Sequence, residues 1–160
     1  MLLIKNKLIL NYILIFSIFA LCSAYFIQHI LNHQPCNLCL IERIPYYAAI
    51  ILISSMFVIN NYKKIILYAV ASFFIFGTII SFYHFGIEQG FFSESIVCSM
   101  SEKSNSSSAN ELLKELQKKN VSCKNATFTL IGLSLAAINA IVSFVLSIII
   151  IKIINEYGKN

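Results

Sequence analysis

Polar residues are swept to the ends of four long apolar runs in this chain: Leu8 to Ile27, Ile44 to Asn60, Ile65 to Phe85 and Ala126 to Ile151. A helix needs about 20 mostly apolar residues to cross the hydrocarbon of a bilayer. The pattern therefore predicts an all-α, four-helix transmembrane bundle in one domain spanning residues 1–160, with outer loops at 28–43 and 86–125. Met1 to Ala24 also has the lysines, apolar core and small-residue end of a signal peptide. The apolar run continues through Tyr25, Phe26 and Ile27, longer than a signal core needs, so four spans are the expectation.

The breaks between the runs carry local signals. Pro45 is tolerated in the first turn of the second span, where amides have few intrahelical acceptors. Gly86 and Gly90 are read as ending the third span and opening the longest loop, with His84 at the outer interface. Within that loop, Ser99 to Ser108 is too polar to fold alone. Asn110 to Lys119 follows with leucines at 112, 113 and 116 at helical spacing, a capping asparagine and lysines at its end. A short amphipathic helix at the bilayer surface is expected there, or a loose surface helix without lipid contact. Gly132, Ser134, Ala136 and Ala137 would allow close helix packing in the last span.

Composition agrees with the pattern. The chain is 58% hydrophobic and 12% charged, with a mean hydropathy of +0.78, too few polar residues to cover a soluble globule. The charges orient the bundle, because lysine and arginine in short loops stay on the cytoplasmic side. Lys5 and Lys7 precede the first span, Lys63 and Lys64 fill the turn after the second, and Lys152 and Lys159 accompany the end of the fourth. Both termini are then cytoplasmic. The net charge of +5 is a consequence of topology and needs no nucleic-acid partner.

Four of the five cysteines fall in the two outer loops as pairs, Cys36 with Cys39 and Cys98 with Cys123, while Cys22 lies inside the first span. Disulfides persist outside the cytosol. Three chemistries fit: structural bridges in loops with almost no core to staple, a four-thiolate zinc centre, or thiol–disulfide exchange. Arg43, the only arginine, follows Cys39 by four residues and shares its face if the segment is helical. There it could stabilise a Cys39 thiolate or charge developing on an electron acceptor. Interfacial anchoring or an ion pair with a glutamate is the plainer role. His29 and His33 read as interfacial polar residues, and Cys22 as a small hydrophobe.

With Cys36-Asn37-Leu38-Cys39-Leu40-Ile41-Glu42-Arg43, the Cys98 and Cys123 pair, His84 with its following Gly and Glu, and Gly132-Leu133-Ser134 in hand, the chain resembles the DsbB family of quinone-dependent disulfide oxidases over its whole length. That resemblance implies an inner-membrane enzyme with its redox loops in the periplasm. Cys98 and Cys123 would accept electrons from a DsbA-like thioredoxin-fold dithiol partner, with Cys98 forming the mixed disulfide. Cys123 would exchange with Cys36, and Cys39 would pass electrons to a membrane quinone, ubiquinone or menaquinone, beside Arg43 and His84. The chain departs from the family in having no tryptophan and a Ser-rich loop. A relay exporting reducing equivalents and a zinc-stabilised scaffold are the alternative readings.

Overall fold

The computed structural model describes residues 2–58, 62–93, 98, 123, 129–130 and 133–157. Helix α1 (Leu2–His29) is followed by the five-residue α2 (Asn37–Ile41), then α3 (Ile44–Val58) and α4 (Lys63–Glu88). A two-stranded antiparallel ribbon, β1 (Thr129–Leu130) with β2 (Leu133–Ser134), pairs Thr129 with Ser134 and leads into α5 (Leu135–Tyr157). Four helices are long and apolar enough to cross a membrane. The expected surface helix, Asn110 to Lys119, lies outside the described residues, as do the Ser-rich stretch and Gly132.

These helices are apolar on every side, which is how a membrane span differs from a soluble amphipathic helix. Leu10, Ile13, Ile53, Leu67, Phe74 and Ile150 meet in the core, while Phe19, Ile51, Ile79, Phe82 and Phe144 point outward. Some hydroxyls inside these spans are returned to their own helix: Ser17 donates to the Ile13 carbonyl at 2.8 Å and Thr78 to that of Phe74 at 2.9 Å. Lipid offers no hydrophobic drive between spans, so small residues set how closely they approach. At Gly77 a Cβ would stand 2.8 Å from Pro45 Cγ and 3.5 Å from Ser143 Oγ. This one position brings α3, α4 and α5 together, and α4 packs most extensively on α5.

Two boundaries differ from the sequence expectation. The last helix begins at Leu135, not Ala126, because Ser134 acts as its N-cap: the Ser134 hydroxyl accepts from the Ala137 amide at 3.2 Å. Gly86 lies within α4, and the helix ends two residues later. The amides of Gly90 and Phe91 close the end onto the carbonyls of Ile87 and Gly86 at 3.0 and 2.8 Å, with Gly90 at φ +78°. Only Gly90 needs the left-handed backbone of this Schellman ending. Gly86 instead makes room for the Phe92 ring, which a Cβ there would strike.

Candidate functional site

The site is built where α2 sits over the C-terminal end of α4. Cys36 is the N-cap of α2, and its Sγ accepts from the Cys39 amide at 3.3 Å. One turn of helix then carries Cys39 back, placing the two sulfurs 2.6 Å apart. Cys36 is buried and Cys39 half-buried.

His84, on α4, is only 3% exposed. Its Nε2 stands 3.5 Å from Cys36 Sγ, and its Nδ1 donates to Glu42 Oε1 at 2.7 Å. Glu88, one turn further along α4, brings Oε1 to 3.7 Å from the same Nε2. From α5, Asn139 Nδ2 donates to Glu42 Oε2 at 3.2 Å and to Ser81 Oγ at 2.7 Å, while its Oδ1 accepts from the Tyr46 hydroxyl. A continuous polar chain therefore runs from Cys36 through His84 and Glu42 to Asn139. It ties the C-x-x-C to α3, α4 and α5, and it satisfies most of the polar atoms placed inside an apolar bundle.

The same contacts set the chemistry of Cys36. Its thiol is lowered to about 4, chiefly by the hydrogen bond from the Cys39 thiol and then by His84, against the opposing effect of burial. In the dithiol form the pair thus gives up its first proton from Cys36 and shares the second across the 2.6 Å contact. A thiolate is the form that attacks a disulfide and the form that surrenders electrons.

The second cysteine pair joins this centre. Cys98 and Cys123 form a disulfide across a sequence separation of 25. Cys123 is 2% exposed and packs with Cys36, Leu38 and Ile87 in one buried cluster, with Cys39 and Cys98 at its edge. A cavity of about 390 Å³ opens beside the cluster. Cys36, Cys39 and Cys123 all line it, facing Phe16, Phe19 and Ile27 of α1.

A family model described as Disulfide bond formation protein DsbB matches residues 6–153. The chain belongs to the DsbB family. A relative, the uncharacterized protein RP370 of Rickettsia prowazekii (strain Madrid E), is 28% identical over 155 residues, covering 95% of this chain and 90% of its own. No solved structure matches. Membership makes this chain a membrane oxidoreductase of disulfide-bond formation.

Within this DsbB-family chain the structure brings together five of the six residues singled out from sequence: Cys36, Cys39 and His84 bonded in sequence, with Cys98 and Cys123 packed beside them. Arg43, the sixth, lines the cavity. Its guanidinium donates to Gln28 Oε1 at 2.8 Å and lies 5.2 Å from the centre of the Tyr25 ring. The helical spacing from Cys39 does not hold, because α2 ends at Ile41 and Glu42 and Arg43 form a turn. That turn directs Glu42 inward and Arg43 toward α1. His84 is buried among the helices, and Cys22 faces outward. The Cys98–Cys123 bond occupies two of the four sulfurs a four-thiolate zinc centre would require.

Sequence reasoning gave Glu42 and Glu88 no role beyond their place in the quoted motifs and passed over Asn139. A signal for each was present: a carboxylate three residues after the C-x-x-C, a second at i+4 from His84, and a lone amide within an apolar run.

Proposed function

We propose that this protein re-oxidises a DsbA-like thioredoxin-fold partner in the periplasm and delivers the electrons to a membrane quinone. The observation that carries the reading is the meeting of both cysteine pairs in one buried cluster at the wall of a single cavity. Electrons can pass between sulfurs only by direct attack, so the pairs must reach one another.

The steps balance through the chain's own sulfurs. A partner thiolate attacks Cys98, forming a mixed disulfide and releasing Cys123. The partner's second thiol resolves that bond, leaving the partner oxidised and Cys98–Cys123 as a dithiol. Cys123 then attacks Cys36 of the Cys36–Cys39 disulfide, and Cys98 displaces Cys36 from Cys123, which returns the loop disulfide and leaves Cys36 and Cys39 reduced. Their re-oxidation releases two electrons and two protons.

The cavity suits a quinone. Its α1 wall is aromatic and aliphatic, while Arg43, Tyr46, Asn139 and His84 supply polar groups for carbonyl oxygens. A quinone held there would supply the acceptor for the two electrons and two protons that the dithiol gives up. Glu42 holds His84 with Nε2 toward Cys36, so the ring is placed to hold a proton beside the sulfur that forms the first thiolate. An inner-membrane location with cytoplasmic termini is supported by Lys63 and Lys64 at one end of the bundle, opposite the cysteines.

The test is quinone reduction by the purified protein supplied with a reduced thioredoxin-fold partner and a soluble quinone. Quinone consumption should match partner oxidation and stop in Cys39→Ser. Partner re-oxidation at the normal rate in Cys36→Ser or Cys39→Ser would falsify the assignment.

A further inference from the structure

The reduced C-x-x-C has neighbours that disulfide exchange alone does not require. Cys36 Sγ, Cys39 Sγ and His84 Nε2 all lie within 4.8 Å of one another. The side chain of Glu88 is 7% exposed; the Ser134 hydroxyl hydrogen-bonds this carboxylate, while its Oε2 has no partner among the described residues. A buried carboxylate oxygen left unpaired is costly, and such an atom commonly marks a missing ligand.

We propose that the dithiol form of this centre binds a thiophilic divalent cation, Zn²⁺ in the simplest case, through Cys36, Cys39 and His84, with water in the fourth position. The proposal rests on the preceding section only in that the C-x-x-C passes through a dithiol state. Two thiolates and an imidazole are among zinc's preferred donors, and water completes many three-ligand sites. With zinc bonds of about 2.3 Å to sulfur and 2.0 Å to nitrogen, a tetrahedral ion holds such a pair about 3.5 Å apart. Cys36 Sγ and His84 Nε2 already stand at 3.5 Å. The sulfurs must open from 2.6 Å to about 3.8 Å, a movement within reach of side-chain rotation.

The surroundings meet the remaining requirements of a metal site. His84 donates its other ring nitrogen to Glu42, the carboxylate–histidine pairing that orients metal-bound imidazoles. The cavity lined by Cys36, Cys39, His84 and Glu88 supplies an entry path. Binding displaces the thiol protons and occupies both sulfurs, so the metal-bound pair cannot close its disulfide. The centre then stops in its reduced form, and the oxidised form, with no thiolate to offer, does not bind. Zinc is in this way a redox-state-selective inhibitor.

The experiment uses the full chain with Cys22→Ser, Cys98→Ser and Cys123→Ser, so that Cys36 and Cys39 are its only thiols. In detergent, the phosphine-reduced and the oxidised protein are each titrated with Zn²⁺ against a chromophoric chelator. One equivalent should bind to the reduced chain and none to the oxidised chain. Glu42→Gln should weaken binding by about ten- to a hundredfold. Unchanged affinity in His84→Ala, or equal binding by both redox forms, overturns the proposal. Should His84→Ala not fold, Co²⁺ bound to the otherwise unaltered reduced chain decides: a tetrahedral thiolate spectrum is expected, and a six-coordinate spectrum rules the site out. No quinone or partner enters these titrations. Failure of the electron-transfer assay therefore leaves the metal site standing, and failure to bind metal leaves the electron path untouched.

Discussion

The depressed thiol of Cys36 makes a quantitative prediction about how oxidising the centre is. Replacing Cys39 is the perturbation, because the hydrogen bond from its thiol is the largest cause of the shift, from an ordinary 9.0 to about 4. A group whose acidity is raised in the folded site stabilises its charged form above the folded pKa. Here the stabilised form is the reduced one. The gain is complete above the ordinary thiol value and disappears as the pH falls through about 4. Each tenfold rise in acidity that is still expressed at pH 7 is worth about 1.4 kcal/mol. For a two-electron couple each such increment makes the Cys36–Cys39 disulfide about 30 mV more oxidising than an unperturbed pair. The assay is iodoacetamide alkylation of Cys36 against pH, in chelator-treated buffer and a Cys22→Ser, Cys98→Ser, Cys123→Ser background, read by mass spectrometry. The rate should stay level from about pH 8 to about pH 5 and fall through about 4. Cys39→Ala should move the midpoint upward, and Cys39→Ser, which keeps a hydroxyl donor, should move it less. A midpoint near 9 in the unaltered pair, or one indifferent to Cys39→Ala, refutes the reasoning.

Glu42→Gln retains the shape of the side chain but removes the charge that holds His84. Losing a charged hydrogen bond costs about 1.5–3 kcal/mol, so partner re-oxidation should slow by roughly ten- to a hundredfold. An unchanged rate would show that the orientation of His84 is immaterial. Gly77→Val forces side-chain atoms against Pro45 and Ser143, where a Cβ alone already meets Pro45 Cγ at 2.8 Å. It should lower stability by about 1–3 kcal/mol, seen as a lower unfolding midpoint in detergent. Ser134→Ala removes the cap of α5 and should cost about 0.5–2 kcal/mol, measured the same way, with Ser134→Asp recovering most of the loss.

What could be read in the sequence was whatever depends on a property summed along the chain or on near neighbours. Four apolar runs imply four spans because hydrocarbon excludes an unpaired backbone, whatever the partners of each helix. The C-x-x-C allows a redox pair because its spacing brings two sulfurs within reach across one helical turn, though it fitted a metal site or a structural bridge as well. The resemblance to the DsbB family rested on those residues and on Cys98, Cys123 and His84, and the family assignment agrees with it.

The tertiary structure decided matters that turn on direction and distance. Sequence spacing placed Arg43 on the face of Cys39, but the end of α2 at Ile41 reversed which neighbour turns inward, giving Glu42 to the buried network and Arg43 to Gln28. Asn139 lies 97 positions from Glu42 in the chain, and only the packing of α5 on α4 brings them together. The start of α5 was hidden for a related reason. Hydropathy runs unbroken through residues 126–151, and a hydrophobic sum does not register that the Ser134 hydroxyl caps a helix and separates it from a β-ribbon. Periodicity and composition report how much of a segment is apolar. Which polar atom meets which is settled by the approach of distant helices, and the chemistry of Cys36 depends on that meeting.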